Sequence, residues 1–231
     1  MFYYDKYFII LVLPFILFSI YVQIKMQMVY SKFSKINNFR NLTGAVVARN
    51  ILNEVGLAFV KVECVEGSLT DCFDPRQNVV RLSHKNYYGN SIAAVGVSAH
   101  EVGHAIQFAR AYVPAMIRTR VVVVTRFGSF LWWPVIFLGL IFSIYRLILL
   151  GICLFSIVVF FELITLPVEF DASFRAFKIL KSNEILSSHE LHGVKKVLWA
   201  AAMTYVASFL VTLMQLLRFV LIFLSNRNDN D

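Results

Sequence analysis

Apolar positions fill four long runs of this chain, and the stretches between them carry shorter, periodic patterns. The first run extends from Phe8 to about Val22 (FIILVLPFILFSIYV). The second is Phe127–Tyr145, the third Leu147–Leu166, and the fourth runs from Val197 to about Phe223. Crossing a bilayer as a helix takes roughly 20 predominantly apolar residues, so each run is a candidate span. Only Arg146 separates the second from the third, which predicts a tight helical hairpin. Trp132 and Trp133 are expected near an interface. The first run resembles a signal-peptide core, but QIKMQMVYSK follows it where a small-residue cleavage site would stand. It therefore reads as an uncleaved anchor.

Between the first and second runs the pattern changes to that of a small mixed domain. Thr43–Leu57 (TGAVVARNILNEVGL) has helical periodicity, with Thr43 as a cap and Gly56 as a stop. Ala58–Val65 alternates weakly and predicts a strand, and Val79–Ser83 predicts a second. The intervening GSLTDCFDPRQN is turn-rich. From Ser91, a residue type suited to an N-cap, to about Ala111 the pattern is helical again. Pro167 is suited to the first turn of a new helical segment where the third run ends.

The expected fold class is a mainly α membrane protein: about four transmembrane helices, with a small α+β domain inserted between the first and second. The expected divisions are an anchor at 1–26, the inserted domain at 27–126, the hairpin at 127–166, a polar helical segment at 167–196, and a last span with its tail at 197–231.

Composition agrees. Of 231 residues 58% are hydrophobic and 16% charged, and the mean hydropathy of +0.68 is unusual for a soluble domain. The net charge of +8 raises nucleic-acid binding as a possibility. No RNP-like, zinc-finger or basic-helix pattern accompanies it, so nucleic acid is not an expected partner. The charge instead bears on topology. Residues 23–126 hold thirteen Lys/Arg against six Asp/Glu, and 167–196 hold five against four. The positive-inside rule places both segments in the cytoplasm and both termini outside. With four spans, the two polar segments share one side of the membrane. Of the three cysteines, Cys64, Cys72 and Cys153, the first two could pair, but a reducing compartment favours free thiols.

The chemistry lies in SAHEVGHAIQ, residues 98–107. On a helix His100 and His104 stand one turn apart on one face and can present imidazole nitrogens to one zinc ion. Glu101 is rotated about 100° away from His100. There it stands beside the ion, able to take a proton from zinc-bound water and pass it to a leaving amine. Gly103 costs a free helix roughly 1 kcal/mol against Ala, which suggests close packing beneath the site. A hydrolytic zinc site needs a third protein ligand. His84, His189, His192, Glu162, Glu169 and Asp171 are the candidates. AIQFARAY after His104 contains no third histidine at the metzincin spacing. Because the hairpin returns the chain to the side it left, Glu169 can meet His100 and His104, with Glu162 as its competitor.

Four blocks in order, LTDCFDPRQNVVRLS, SIAAVGVSAHEVGHAIQ, LPVEFDASFRA and KKVLWAAAMTYVA, resemble the YugP-like family, bacterial proteins described as membrane neutral zinc metallopeptidases. The resemblance spans about Leu42 to Phe219. More distantly, the order of motifs is similar to the HtpX heat-shock proteases and the CAAX prenyl proteases, in which a glutamate beyond two membrane helices binds zinc. The resemblance implies a zincin-like domain, Zn2+ as cofactor, and Glu169 in EFDAS as the third ligand. Ser173 stands where those relatives commonly have Asp, so Asp171 or Asp71 becomes a candidate to orient a ligand. Cys72 and Phe73 depart from the family's LTDHYDP turn.

The leading expectation is a zinc metalloendopeptidase anchored in a bacterial inner membrane, its site facing the cytoplasm, acting on peptide or membrane-protein substrates. Arg175, Asp171 and His84 are candidates for oxyanion stabilisation or ligand support. The strand Val79–Ser83 is expected to offer an edge to an extended substrate. The alternatives are an intramembrane protease, which needs the histidine helix within lipid, and a non-catalytic zinc-bound scaffold.

Overall fold

The computed structural model describes residues 6–67 and 70–228. Residues 1–5, 68–69 and 229–231, which take in the start of the anchor, part of the turn-rich stretch and the end of the tail, lie outside the described residues. A π-helical turn, Phe8–Val12, leads into α1 (Leu13–Phe33). There follow α2 (Gly44–Glu54), β1 (Lys61–Val65), β2 (Cys72–Asp74), β3 (Val79–Ser83), α3 (His84–Tyr88) and α4 (Ile92–Ala109). Three long helices complete the chain: α5 (Val113–Ile141), α6 (Tyr145–Ser182) and α7 (Ser188–Asn228). Among the described residues, four helices are long and apolar enough to cross a membrane: Phe8–Phe33, Val113–Ile141, Tyr145–Ser182 and Ser188–Ser225.

The chain divides into two compact units. One comprises Met1–Val22, Ile117–Leu166 and Thr204–Asp231 and holds the apolar helical runs. Its helices pack through Trp132, Phe155 and Phe219, with the Trp132 and Phe155 ring centroids 4.5 Å apart. Trp132 is therefore held within the bundle, while Trp133 is exposed. The hairpin turn is Phe142-Ser143-Ile144, where Ser143 takes a positive φ of 53°. Arg146, the residue expected at the turn, already lies in α6. Glu162 accepts a hydrogen bond from Ser208 at 3.2 Å, a partner within the same unit.

The other unit comprises Gln23–Met116 and Pro167–Met203. Its core gathers Val47, Ile51, Leu52, Leu82, Val95, Val102, Leu180 and Val194 around α4. The ends of its helices follow from their residues. Thr43 Oγ1 accepts from Val46 N at 3.3 Å and caps α2. At the other end Gly56 adopts a φ of 78°, Leu57 N donates to Leu52 O at 2.7 Å, and Gly56 N donates to Asn53 O at 3.3 Å. This is a Schellman stop, which needs a residue that tolerates the left-handed region. Ser91 Oγ accepts from Ala94 N at 3.1 Å and caps α4. At the start of α7, Ser187 N and Oγ donate to Glu190 Oε2, both at 2.8 Å, while Glu190 N donates back to Ser187 Oγ at 3.4 Å. The SHELH segment thus opens a helix with a capping box.

Three expectations need correction here. The first strand is shorter than the predicted Ala58–Val65, beginning at Lys61. The turn-rich segment contains a strand, β2, so the sheet has three strands in the order β1-β3-β2. β3 pairs in parallel with β1 along Val79–Ser83 and antiparallel with β2 along Val79–Arg81. It is the central strand, and the free edges belong to β1 and β2 rather than to Val79–Ser83. Finally, Pro167 does not begin a helix. α6 runs unbroken through it. Proline removes its own N–H donor and its ring crowds the carbonyl four residues back, which disfavours the position without forbidding it.

Removing the Ser91 cap leaves a buried N–H at the start of α4 without its acceptor. Ser91→Ala should cost about 1 kcal/mol, seen as a lower thermal midpoint of the detergent-solubilised protein.

Candidate metal centre

His100, Gly103, His104 and Gln107 follow one another at i, i+3, i+4 and i+7 and form one face of α4. That face lies against α6, and the pairings run antiparallel: His100 with Ser173, Gly103 with Ala172, His104 with Glu169, and Gln107 with Val168 and Asp171. Gly103 sets the spacing. A Cβ built there would stand 2.6 Å from the Ala172 carbonyl oxygen, a backbone atom that cannot swing aside. The glycine that weakens α4 as an isolated helix is what lets α6 approach, as its place in the sequence suggested.

Through this approach Glu169, 2% exposed, reaches the histidines. Its Oε2 lies 3.3 Å from His100 Nε2 and 3.6 Å from His104 Nε2. Donor atoms of the three residues all fall within 4.8 Å of one another, and among the described residues this is the group able to hold a metal ion. The fit to zinc can be judged from these lengths. Ligand atoms about 2.0–2.1 Å from a tetrahedral ion stand about 3.3–3.4 Å from each other. The two nitrogen–oxygen separations are close to that value. Two imidazoles and one carboxylate are also a donor set that zinc accepts while keeping a position open.

The outer ring nitrogens are held as well. His100 Nδ1 lies 3.1 Å from Ser173 Oγ, and His104 Nδ1 lies 3.0 Å from Gln107 Oε1. Ser173 thus stands against His100 in the place where an Asp was expected to be needed. Asp171 takes a different part: its Oδ2 accepts from Gln107 Nε2 at 2.8 Å and from Arg175 Nε at 2.6 Å. The Arg175 guanidinium also lies over the Tyr112 ring, 5.7 Å from its centroid. Asp71 accepts from Ser83 N (2.8 Å), Ser83 Oγ (3.1 Å) and Asn86 Nδ2 (2.8 Å), fastening the turn before β2 to the start of α3. His84 is exposed, its ring 4.8 Å from that of Tyr88, and it lies outside the ligand group. His189, His192 and Glu162 lie outside it too.

Glu101 is 8% exposed beside the two histidines. Burial pushes its carboxyl above the ordinary range; His100 and His104 oppose the shift, and the Glu169 and Asp71 carboxylates add to it. Cys72 on β2 lies near enough to feel Glu101: burial first, and that carboxylate second, push its thiol up. Phe73 packs its ring 6.1 Å from Phe108, so one of the two residues that depart from the family turn holds β2 against α4.

Residues 8–224 match the family described as "Putative neutral zinc metallopeptidase". The chain belongs to that family. It is also 49% identical over 213 residues to "Putative membrane protease YugP" of Bacillus subtilis (strain 168), covering 92% of this chain and 94% of that relative. No solved structure shows significant similarity. The resemblance drawn from four sequence blocks therefore holds across nearly the whole chain.

At the centre of this candidate site Gln107 escaped the sequence reading, and Ser173 entered it only as a departure from the relatives' Asp. Gln107 had a signal, since it lies three residues after His104 on the same helical face. Ser173 lies four residues after Glu169 on α6, again on one face.

Two variants test the geometry. Glu169→Ala should abolish stoichiometric zinc binding in equilibrium dialysis of the solubilised protein; unchanged affinity would transfer the ligand role elsewhere. Gly103→Ala should force α6 away from α4. Overpacking of this kind costs about 1–3 kcal/mol, and both the thermal midpoint and the zinc affinity should fall together.

Proposed function

We propose that this chain is a membrane-anchored zinc endopeptidase that hydrolyses peptide bonds of peptide or membrane-protein substrates. The observation that carries the reading is the convergence of His100, His104 and Glu169 within 4.8 Å, beside the buried carboxyl of Glu101. The family description and the name of the Bacillus subtilis relative point to the same chemistry.

When bound by the three residues, zinc supplies a Lewis acid that polarises the scissile carbonyl and lowers the pKa of an adjacent water. Glu101 receives the proton of the attacking water at its carboxylate and delivers it to the leaving amine. Water's oxygen ends on the new carboxyl group and its hydrogens are shared between the products. A carboxyl whose proton affinity is raised by burial suits both steps, because proton transfer is most effective when acceptor and donor are matched near neutral pH. Ser173 and Gln107 hold the outer nitrogens of the histidines, and Asp171 fixes the Arg175 guanidinium within reach of the same face of α6.

The segment carrying α2 to α4 acts as a zincin-like catalytic domain between the first and second apolar helices. Its basic character supports a cytoplasmic position in a bacterial inner membrane, with lipid as the other partner and no nucleic acid. An endopeptidase outside the bilayer is favoured over an intramembrane one, because α4 is not among the four apolar helices and is enclosed by protein on the faces that hold Val95, Val102 and Gly103. A non-catalytic scaffold would have no use for Glu101.

The decisive experiment compares the wild type with Glu101→Gln. The variant should bind zinc with unchanged stoichiometry and lose peptide hydrolysis by about 10²–10⁴-fold. Wild-type hydrolysis by the zinc-loaded variant would overturn the role given to Glu101. For orientation, Cys64 is exposed on β1. In a chain whose other two cysteines are serine, a membrane-impermeant maleimide should label Cys64 in inverted vesicles and not in intact spheroplasts. The reverse pattern would place the site outside.

A further inference from the structure

Gln107 is a fully buried polar residue whose part in the chemistry above is confined to its contact with His104 Nδ1. Every group of its side-chain amide is used. Nε2 donates to Val168 O at 2.7 Å and to Asp171 Oδ2 at 2.8 Å. Both of those partners are acceptors, since one is a backbone carbonyl and the other a carboxylate already taking a hydrogen bond from Arg175. The two amide hydrogens are therefore spent on α6, and the orientation of the amide is fixed. Oε1 is left facing His104 Nδ1 at 3.0 Å, and an amide oxygen can only accept. The proton of the neutral His104 ring must then sit on Nδ1, leaving the Nε2 lone pair directed at the Glu169 side.

We infer that Gln107 is a positioning residue that does two things at once: it holds His104 in the Nδ1–H tautomer, and it clamps α4 to α6 at the turn that carries Glu169. Val168 and Asp171 flank Glu169 within two residues, so one amide ties the orientation of a histidine on one helix to the placement of a carboxylate on the other. The arrangement assigns Asp171 a purpose as well. Held by Arg175, it is the fixed acceptor that sets the amide's direction. The zinc part of this inference rests on the reading of His100, His104 and Glu169 as ligands; the tautomer part does not.

The test uses the full-length protein in detergent micelles, with zinc as the probe. In the metal-free wild type, long-range proton–nitrogen NMR of the histidine rings should show His104 protonated on Nδ1. Gln107→Met, similar in size and without hydrogen bonds, should move the population toward Nε2–H and weaken zinc binding about 10- to 100-fold. Gln107→Glu keeps an acceptor for His104 but faces the Asp171 carboxylate without a donor, and should be at least as impaired. Combining it with Asp171→Asn restores a donor across that contact, although not to Val168 O, and should recover part of the zinc affinity. Recovery in the double variant is an outcome that simple cavity formation or misfolding does not produce. An unshifted His104 tautomer in Gln107→Met, or a double variant no better than Gln107→Glu, would overturn the inference. A wild type that shows the Nδ1–H tautomer yet binds no zinc would sink the ligand reading and leave the Gln107 assignment standing.

Discussion

The candidate site depends on how closely two helices approach. α4 carries two histidines and a glutamate, α6 carries a third potential ligand, and neither segment holds a metal site alone. They meet antiparallel with Gly103 against the Ala172 carbonyl, where even one methyl group would be 2.6 Å from a backbone oxygen. Close contact at this rung brings the neighbouring rungs into hydrogen-bonding and ligand-like distances. A side chain at the glycine would separate all of them together, because a helix moves as a rigid element.

Such an approach places several polar groups in the interior, where each needs a partner. The structure meets that need by sharing partners between segments. Gln107 spends both amide hydrogens on α6, Asp171 accepts from Gln107 and from Arg175, and Ser173 stands against His100. Elsewhere in the same unit Asp71 accepts from Ser83 and Asn86, and Asn86 accepts in turn from Tyr30 OH at 3.1 Å. These bonds link α1, the turn before β2, α3 and α6 around one helix. Glu101 has a raised proton affinity, through burial and through neighbouring carboxylates. A carboxyl in that condition suits a proton carrier, which is the role proposed for it.

Signals in the chain are legible where the physics behind them is local. Thr43 and Ser91 cap helices because their hydroxyls reach an N–H three residues on, and Gly56 stops a helix because it adopts a positive φ without strain. The four apolar runs became four long helices for the same reason: length and hydropathy are properties of a continuous segment. The failures were non-local. β2 looked like part of a turn because three residues carry no period, and it becomes a strand only by pairing with β3. Pro167 looked like a boundary because proline removes a backbone donor, yet α6 continues through it. Gln107 looked like a polar residue on a helix until α6 supplied the two acceptors that give it a function.

The sequence by itself determined the family, the helical and apolar character of the chain, and the two histidines and glutamate of HEVGH, whose geometry follows from helical spacing alone. It also narrowed the third ligand to a few residues, with family resemblance pointing to Glu169. What only the tertiary structure decided is which residues stand around those groups. Ser173, Gln107, Val168 and Asp171 lie 61 to 73 positions from their partners along the chain. No periodicity reaches across such a separation. It takes the packing of α6 against a glycine on α4 to place them there, because contact between distant segments is fixed by the shape of both surfaces and not by either one read alone.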